Sequence, residues 1–193
     1  MELLFATSNI NKTSEIRSAL PDGFVLRCLS DLPQTFPEVE EPFESLKENA
    51  LHKAKTYAAW TGLNCFSEDT GLEVFSINGE PGVRSARYAG EPGDAQKNIQ
   101  KLLSRLEHSS ERSAQFRTII SLIINQEVFL FEGICKGYIT HEPKGHNGFG
   151  YDAVFIPEGS SYTFGEMNMA EKNRFSHRKK AFQKMIEFLA QRQ

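Results

Sequence analysis

Residues 65–74 read CFSEDTGLEV. Two apolar residues, Cys65 and Phe66, lead into the adjacent carboxylates Glu68 and Asp69. Thr70 and Gly71 follow, then a second strand-like run from Leu72 to Phe75. The pattern predicts two short strands meeting at an acidic turn, with Gly71 letting the chain bend sharply. Carboxylates at the C-terminal end of a strand suit a hard cation such as Mg²⁺, which takes one or two protein carboxylates plus phosphate oxygens and waters. A solvated acidic turn is the other reading of the same residues. A glycosidase carboxylate pair is a weaker rival, because no sugar-binding aromatic platform accompanies it.

Outward from this stretch, Leu3 to Ala6 reads as a buried strand, followed by TSNINK and a helix-like segment with Ile16, Ala19 and Leu20 on one side. Phe24 to Cys28 suggests another strand. A long helix is predicted from about Pro42, well placed in a first turn, to Trp60 before Gly62. NGEPGVRSARYAGEPGD is a turn-rich loop, and Ala95 to Leu106 has helical spacing. Ala114 to Ile139 is rich in β-formers and broken near Asn125-Gln126, which predicts a long antiparallel hairpin. KGHNGFGYD is a glycine-rich loop entering another strand, and Ser176 looks like the cap of a last helix with Ala181, Phe182, Met185, Ile186 and Leu189 on one face. Strands mixed with helices around a hairpin indicate an α/β fold with a mixed sheet.

The 193 residues, 39% hydrophobic and 24% charged, suffice to bury a sizeable core. With no repeat, linker or low-complexity tract, a single domain over 1–193 is expected. A net charge of −3 argues against a nucleic-acid partner, whereas a small phosphorylated ligand needs only a few local cations. Cys28, Cys65 and Cys135 are scattered without CxxC spacing, which argues against a disulfide framework or thiolate metal site. MELLFATSN lacks a basic n-region, and no stretch approaches the length of a membrane span, so a cytoplasmic protein without a membrane partner is expected.

Several side chains carry chemistry. TSNINK joins a strand to a helix, where backbone N–H groups and the helix dipole favour an anion and Lys12 adds a mobile charge. It is not a Walker loop, and a capped helix with a solvated lysine is the plain alternative. On the long helix Phe43, Leu46, Ala50 and Tyr57 form an apolar stripe, with Lys53 in its middle and Asn49 beside it. An ammonium there either snorkels to water or meets an anion. Arg178 stands one turn before Ala181, Phe182 and Met185, so a second cation is expected to point inward. Glu40, Glu41, Glu68 and Asp69 are available to balance the two. In NGFGYD, Phe149 and Tyr151 flank Gly150 and precede Asp152. Aromatic faces clamp planar bases, and Lys172, His177 and Arg178 are donors suited to a base carbonyl.

Taken together, these pieces resemble the non-canonical purine nucleoside triphosphate pyrophosphatases, the inosine/xanthosine triphosphate pyrophosphatase family. The likeness runs through FATSNINK (5–12), FESLKENALHKA (43–54), EDTGLEV (68–74), NGEPGVRSARYAG (78–90), GFGYD (148–152) and SHR (176–178). It implies an α/β fold with an elongated mixed central sheet flanked by helices, two lobes with a substrate cleft between them, and a homodimer. It implies Mg²⁺-dependent hydrolysis of ITP, dITP and XTP between the α- and β-phosphates, which cleanses the nucleotide pool. Carried over by position, Thr7, Ser8, Asn9, Ile10, Asn11, Lys12 and Lys53 hold phosphates. Glu41 and Asp69 hold metal, with Asp69 also activating water, and Thr70 is a further substrate contact. Phe149, Gly150, Tyr151, Asp152, Lys172, His177 and Arg178 enclose and read the base. Ser8 departs from the family's usual Gly, Glu68 and Thr70 from its Asp and Ser, and Ala153 from its Pro. Arg84 and Arg87 have no assigned role. Two rivals stand beside this expectation, a catalytically silent purine-nucleotide-binding protein and an enzyme acting on modified pyrimidine triphosphates.

Overall fold

The computed structural model describes residues 2–17, 23 and 25–192. Among them, β1 (Glu2–Phe5), β2 (Val25–Cys28), β3 (Cys65–Val74), β4 (Pro81–Gly82), β5 (Ser113–Ile124), β6 (Glu127–Ile139) and β7 (Phe155–Pro157) form one mixed sheet. Its order is β2-β1-β3-β5-β6-β7, with β4 paired to β3. β1 runs parallel to β2 and β3, whereas β4 is antiparallel to β3 and β7 to β6. The helices are α1 (Ile10–Arg17), α2 (Leu46–Thr61), α3 (Ala95–Arg105), α4 (Met169–Lys172) and α5 (His177–Ala190).

The chain separates into two compact units. The first comprises Met1–Asp69, Thr118–Gly133 and Arg178–Gln193; the second comprises Thr70–Arg117 and Ile134–His177. In the first, β1 alternates its buried side chains between two cores, as a strand must. Leu3 and Phe5 join Phe66, Ile16 of α1 and the Ala181, Phe182, Met185 and Leu189 face of α5. Leu4 and Ala6 join Val39, Cys65 and Tyr57 of α2. Phe5 and Phe66 stack at 4.6 Å. In the second unit, Leu72 and Val74 pack with Leu102 and Leu106, Phe116, Phe155 and Phe164. Arg112 ties that core's edge by donating to the carbonyls of Leu106, Ile139 and Thr140.

The expected break at the opening stretch is absent: Cys65–Val74 is one uninterrupted strand. Gly71 serves close approach instead of a turn, because a Cβ there would lie 2.6 Å from the Gly82 carbonyl oxygen of β4. The long helix also begins later than expected. Ser45 is its cap, accepting the Glu48 N–H at 3.4 Å, which leaves Pro42 and an exposed Phe43 in the preceding loop. Its end at Gly62 is as expected. The hairpin turns at Asn125 and Gln126, both with positive φ, as a two-residue turn matching strand twist requires. Of the earlier expectations, Ala19, Leu20 and Phe24 lie outside the described residues.

Candidate functional site

The first unit holds a buried network of charge. Lys12 Nζ lies 3.1 Å from Glu68 Oε1. Arg178 Nε donates to both Glu68 oxygens at 2.9 and 2.8 Å, and its Nη1 donates to Glu15. Glu15, Glu68 and Arg178 are all buried. Two acids and two cations balance, which makes their removal from water tolerable. Burial would raise the Glu68 carboxyl, yet the charges of Arg178 and Lys12 outweigh it and hold the group at about 2. Arg178 answers in kind: burial lowers it, and the Glu68 and Glu15 charges more than restore it. Glu68 is therefore ionised at neutral pH. Asp69, the next residue on β3, is itself only 6% exposed. On α2, Lys53 pairs with Glu41, both half-buried.

The loop before α1 is shaped by its own side chains. Asn9 caps the helix, its Oδ1 accepting the N–H groups of Asn11 at 3.0 Å and Lys12 at 3.3 Å, while Thr7 Oγ1 accepts the Asn9 N–H at 3.1 Å. Two of the N–H groups expected to favour an anion are thus occupied by Asn9. Ser8, Asn9, Ile10 and Asn11 are exposed, and Thr7 and Lys12 are half-buried.

The second unit holds another buried ion pair. Lys172 Nζ donates to Asp152 Oδ2 at 2.7 Å, and the same oxygen accepts the Phe149 N–H at 2.8 Å. Lys172 Nζ also stands 5.1 Å from the centre of the half-buried Phe149 ring. Gly148 is required here, because a Cβ would reach within 2.0 Å of the Asp152 carboxylate and φ is +73°. Gly150 also has positive φ, and Thr70 is half-buried. Tyr151 is buried in the core, its hydroxyl donating to the Ser85 carbonyl at 3.0 Å, and burial pushes its phenol up. His177 is buried and stacks on Phe116 at 4.6 Å with the rings 12° apart.

The model of the Ham1 family matches residues 3–188. The chain belongs to the Ham1 family. A dITP/XTP pyrophosphatase of Flavobacterium johnsoniae is 46% identical over 189 residues, covering 98% of each chain. One of Christiangramia forsetii is 44% identical over 190 residues, covering 98% of this chain and all of the relative. Among solved structures, the Staphylococcus aureus Ham1 protein superposes with a TM-score of 0.89 at 35% identity over the whole of both chains. A HAM1 protein from Coxiella burnetii gives 0.90 at 34% over 99% of each. The family resemblance read from the motifs and the mixed α/β fold are both borne out.

Within this Ham1-family chain the expected site residues are divided between the two units. Lys12, Glu41, Lys53, Asp69 and Arg178 lie in the first unit; Thr70, Phe149 to Asp152, Lys172 and His177 lie in the second. Arg178, expected among the donors that read a base, has its guanidinium on Glu68 and Glu15. Tyr151, expected as a ring over a base, is a core residue. Glu15 was not among the expected residues, and its neighbours on α1 give no local signal for it. Among the described residues no three of His, Cys, Asp and Glu form a metal-ligand group. Mg²⁺ does not need three, and the carboxylates of Glu41 and Asp69 are hard oxygen donors of the type it takes. No helix among the described residues is long and apolar enough to cross a membrane.

Proposed function

We propose that this chain hydrolyses dITP, XTP and ITP to the nucleoside monophosphate and pyrophosphate, as a cytoplasmic homodimer that clears such nucleotides from the pool. The single observation that carries the reading is the first unit's set of inward acids and cations, on a chain aligned end to end with relatives named dITP/XTP pyrophosphatase. Phosphoanhydride hydrolysis asks for cations on the phosphates, an aligned water and a base. Lys12 and Lys53, each already paired with a carboxylate, exchange those partners for phosphate oxygens. Glu41 and Asp69 would hold Mg²⁺, which when bound neutralises phosphate charge and acidifies water. Asp69 takes the proton of the attacking water. Glu68 keeps Arg178 in place through two hydrogen bonds while Lys12 turns to the phosphates.

In the second unit, Phe149 offers a ring to the base, and Lys172 and Asp152 offer a donor and an acceptor to its edge. A 6-keto purine meets a donor there and a 6-amino purine does not, which is the usual physical source of strong discrimination. The deciding experiment measures pyrophosphate release with Mg²⁺ across dITP, XTP, ITP, GTP, ATP and pyrimidine triphosphates. Release from dITP, XTP and ITP well above that from GTP and ATP supports the proposal. Binding without release from any of them means a silent nucleotide binder, and release only from pyrimidines means a different substrate class.

A further inference from the structure

Three residues of α2 four positions apart, Asn49, Lys53 and Tyr57, touch the preceding loop in reverse order. Asn49 Oδ1 accepts the Phe43 N–H at 3.0 Å and its Nδ2 donates to the Phe43 carbonyl at 2.9 Å. Lys53 pairs with Glu41, and the Tyr57 hydroxyl donates to the Pro37 carbonyl at 3.2 Å. Four-residue steps advance about 6 Å along a helix and keep to nearly one face. Residues 37–43 therefore lie antiparallel along α2, pinned at three points. Asn49 is fully buried, and it is the only one of the three that grips both backbone groups of its partner.

The next residue on α2 faces the other acidic segment. The Ala50 carbonyl accepts the Ser67 hydroxyl at 2.5 Å, and Ser67, fully buried on β3, stands two residues before Asp69. One turn of α2 thus fastens both the loop bearing Glu41 and the strand bearing Asp69. We propose that Asn49 is a positioning residue that sets the register of Glu41 against Asp69, with Ser67 as its counterpart on β3. This rests on the reading that these two carboxylates hold the metal. A partner that orients a ligand from behind typically changes metal affinity by about 10- to 100-fold when removed.

The test compares wild type, Asn49→Ala and Ser67→Ala. Mn²⁺ binding is followed by loss of the free-ion electron paramagnetic resonance signal, and Mg²⁺ half-activation and KM by pyrophosphate release from dITP. Asn49→Ala is expected to weaken Mn²⁺ binding and raise the Mg²⁺ requirement by about tenfold or more, with KM at saturating metal changed less than about twofold. Ser67→Ala, which loses one bond, shifts the same quantities in the same direction by less, and carries the test if Asn49→Ala does not fold. Unchanged metal affinity in the folded variants, or KM rising in step with the metal requirement, overturns the assignment. A wild-type protein that neither binds Mn²⁺ nor releases pyrophosphate overturns the proposed reaction and this assignment with it, and is told apart because the unaltered chain is then silent.

Discussion

A methyl group at Gly71 would have to push against the Gly82 carbonyl, and backbone gives way reluctantly. Gly71→Ala is expected to cost about 1–3 kcal/mol, the usual range for overpacking, read as a lower midpoint in urea unfolding. An unchanged midpoint would mean that β4 shifts freely. At Asp69 the expectation is chemical. Asp69→Asn keeps the shape and removes the base, so kcat for dITP should fall by about 10²–10⁴. A rate within error of wild type would move the base elsewhere, with Glu68 the neighbour to try next. Single residues were legible where their type was out of place: Lys53 on an apolar stripe and Arg178 in line with Phe182 both announced inward cations. Glu41 and Glu68 stand among the acids expected to balance them and pair with Lys53 and Arg178 respectively, whereas Glu15 was not foreseen. Glu15, Glu68 and Arg178 are far apart in sequence, and no local spacing brings those three together.

Elements announced themselves by period and by their ends. The apolar face of α5 reads directly from Ala181, Phe182, Met185, Ile186 and Leu189, all buried as that spacing requires. Phe182 is fully enclosed and lies 6.1 Å from the Phe66 ring. Phe182→Ala should therefore cost about 3–5 kcal/mol, checked by urea denaturation. A loss below about 1 kcal/mol would show that the site collapses around the gap. The start of α2 was misread because Pro42 and Ser45 are both good opening signals. Ser45 prevails because its hydroxyl satisfies an otherwise unpaired N–H of the first turn, whereas Asn49 holds Phe43 in the loop. The long β3 was misread because acids and a glycine normally punctuate strands. Here burial of Ser67, Glu68 and Asp69, with Ser67 on a helix carbonyl and Glu68 between cations, overrides that preference.

For the whole molecule, acid is the informative stress. Glu68 lies at about 2 against an ordinary 4.5. A carboxylate lowered by folding contributes stability that is complete above its unfolded value and drains away as pH falls through the folded one. Stability should consequently decline between about pH 4.5 and about pH 2, and Glu68→Gln should flatten that decline in urea unfolding measured at successive pH values. An equally steep slope in the variant would assign acid sensitivity to other carboxylates. The fold class was readable from strands and helices in alternation; the interleaving of the two units was not, since composition does not change where the backbone passes from one to the other. That interleaving bears on biosynthesis. Residues Met1–Asp69 are made well before Arg178–Gln193, yet both belong to the same unit. Synthesis must pass residue 190 before α5 can seal Phe5 and Phe66 from water. Until then Phe5 and Phe66 lack the Ala181, Phe182, Met185 and Leu189 face that covers them, and a truncation just upstream of α5 removes that cover for good.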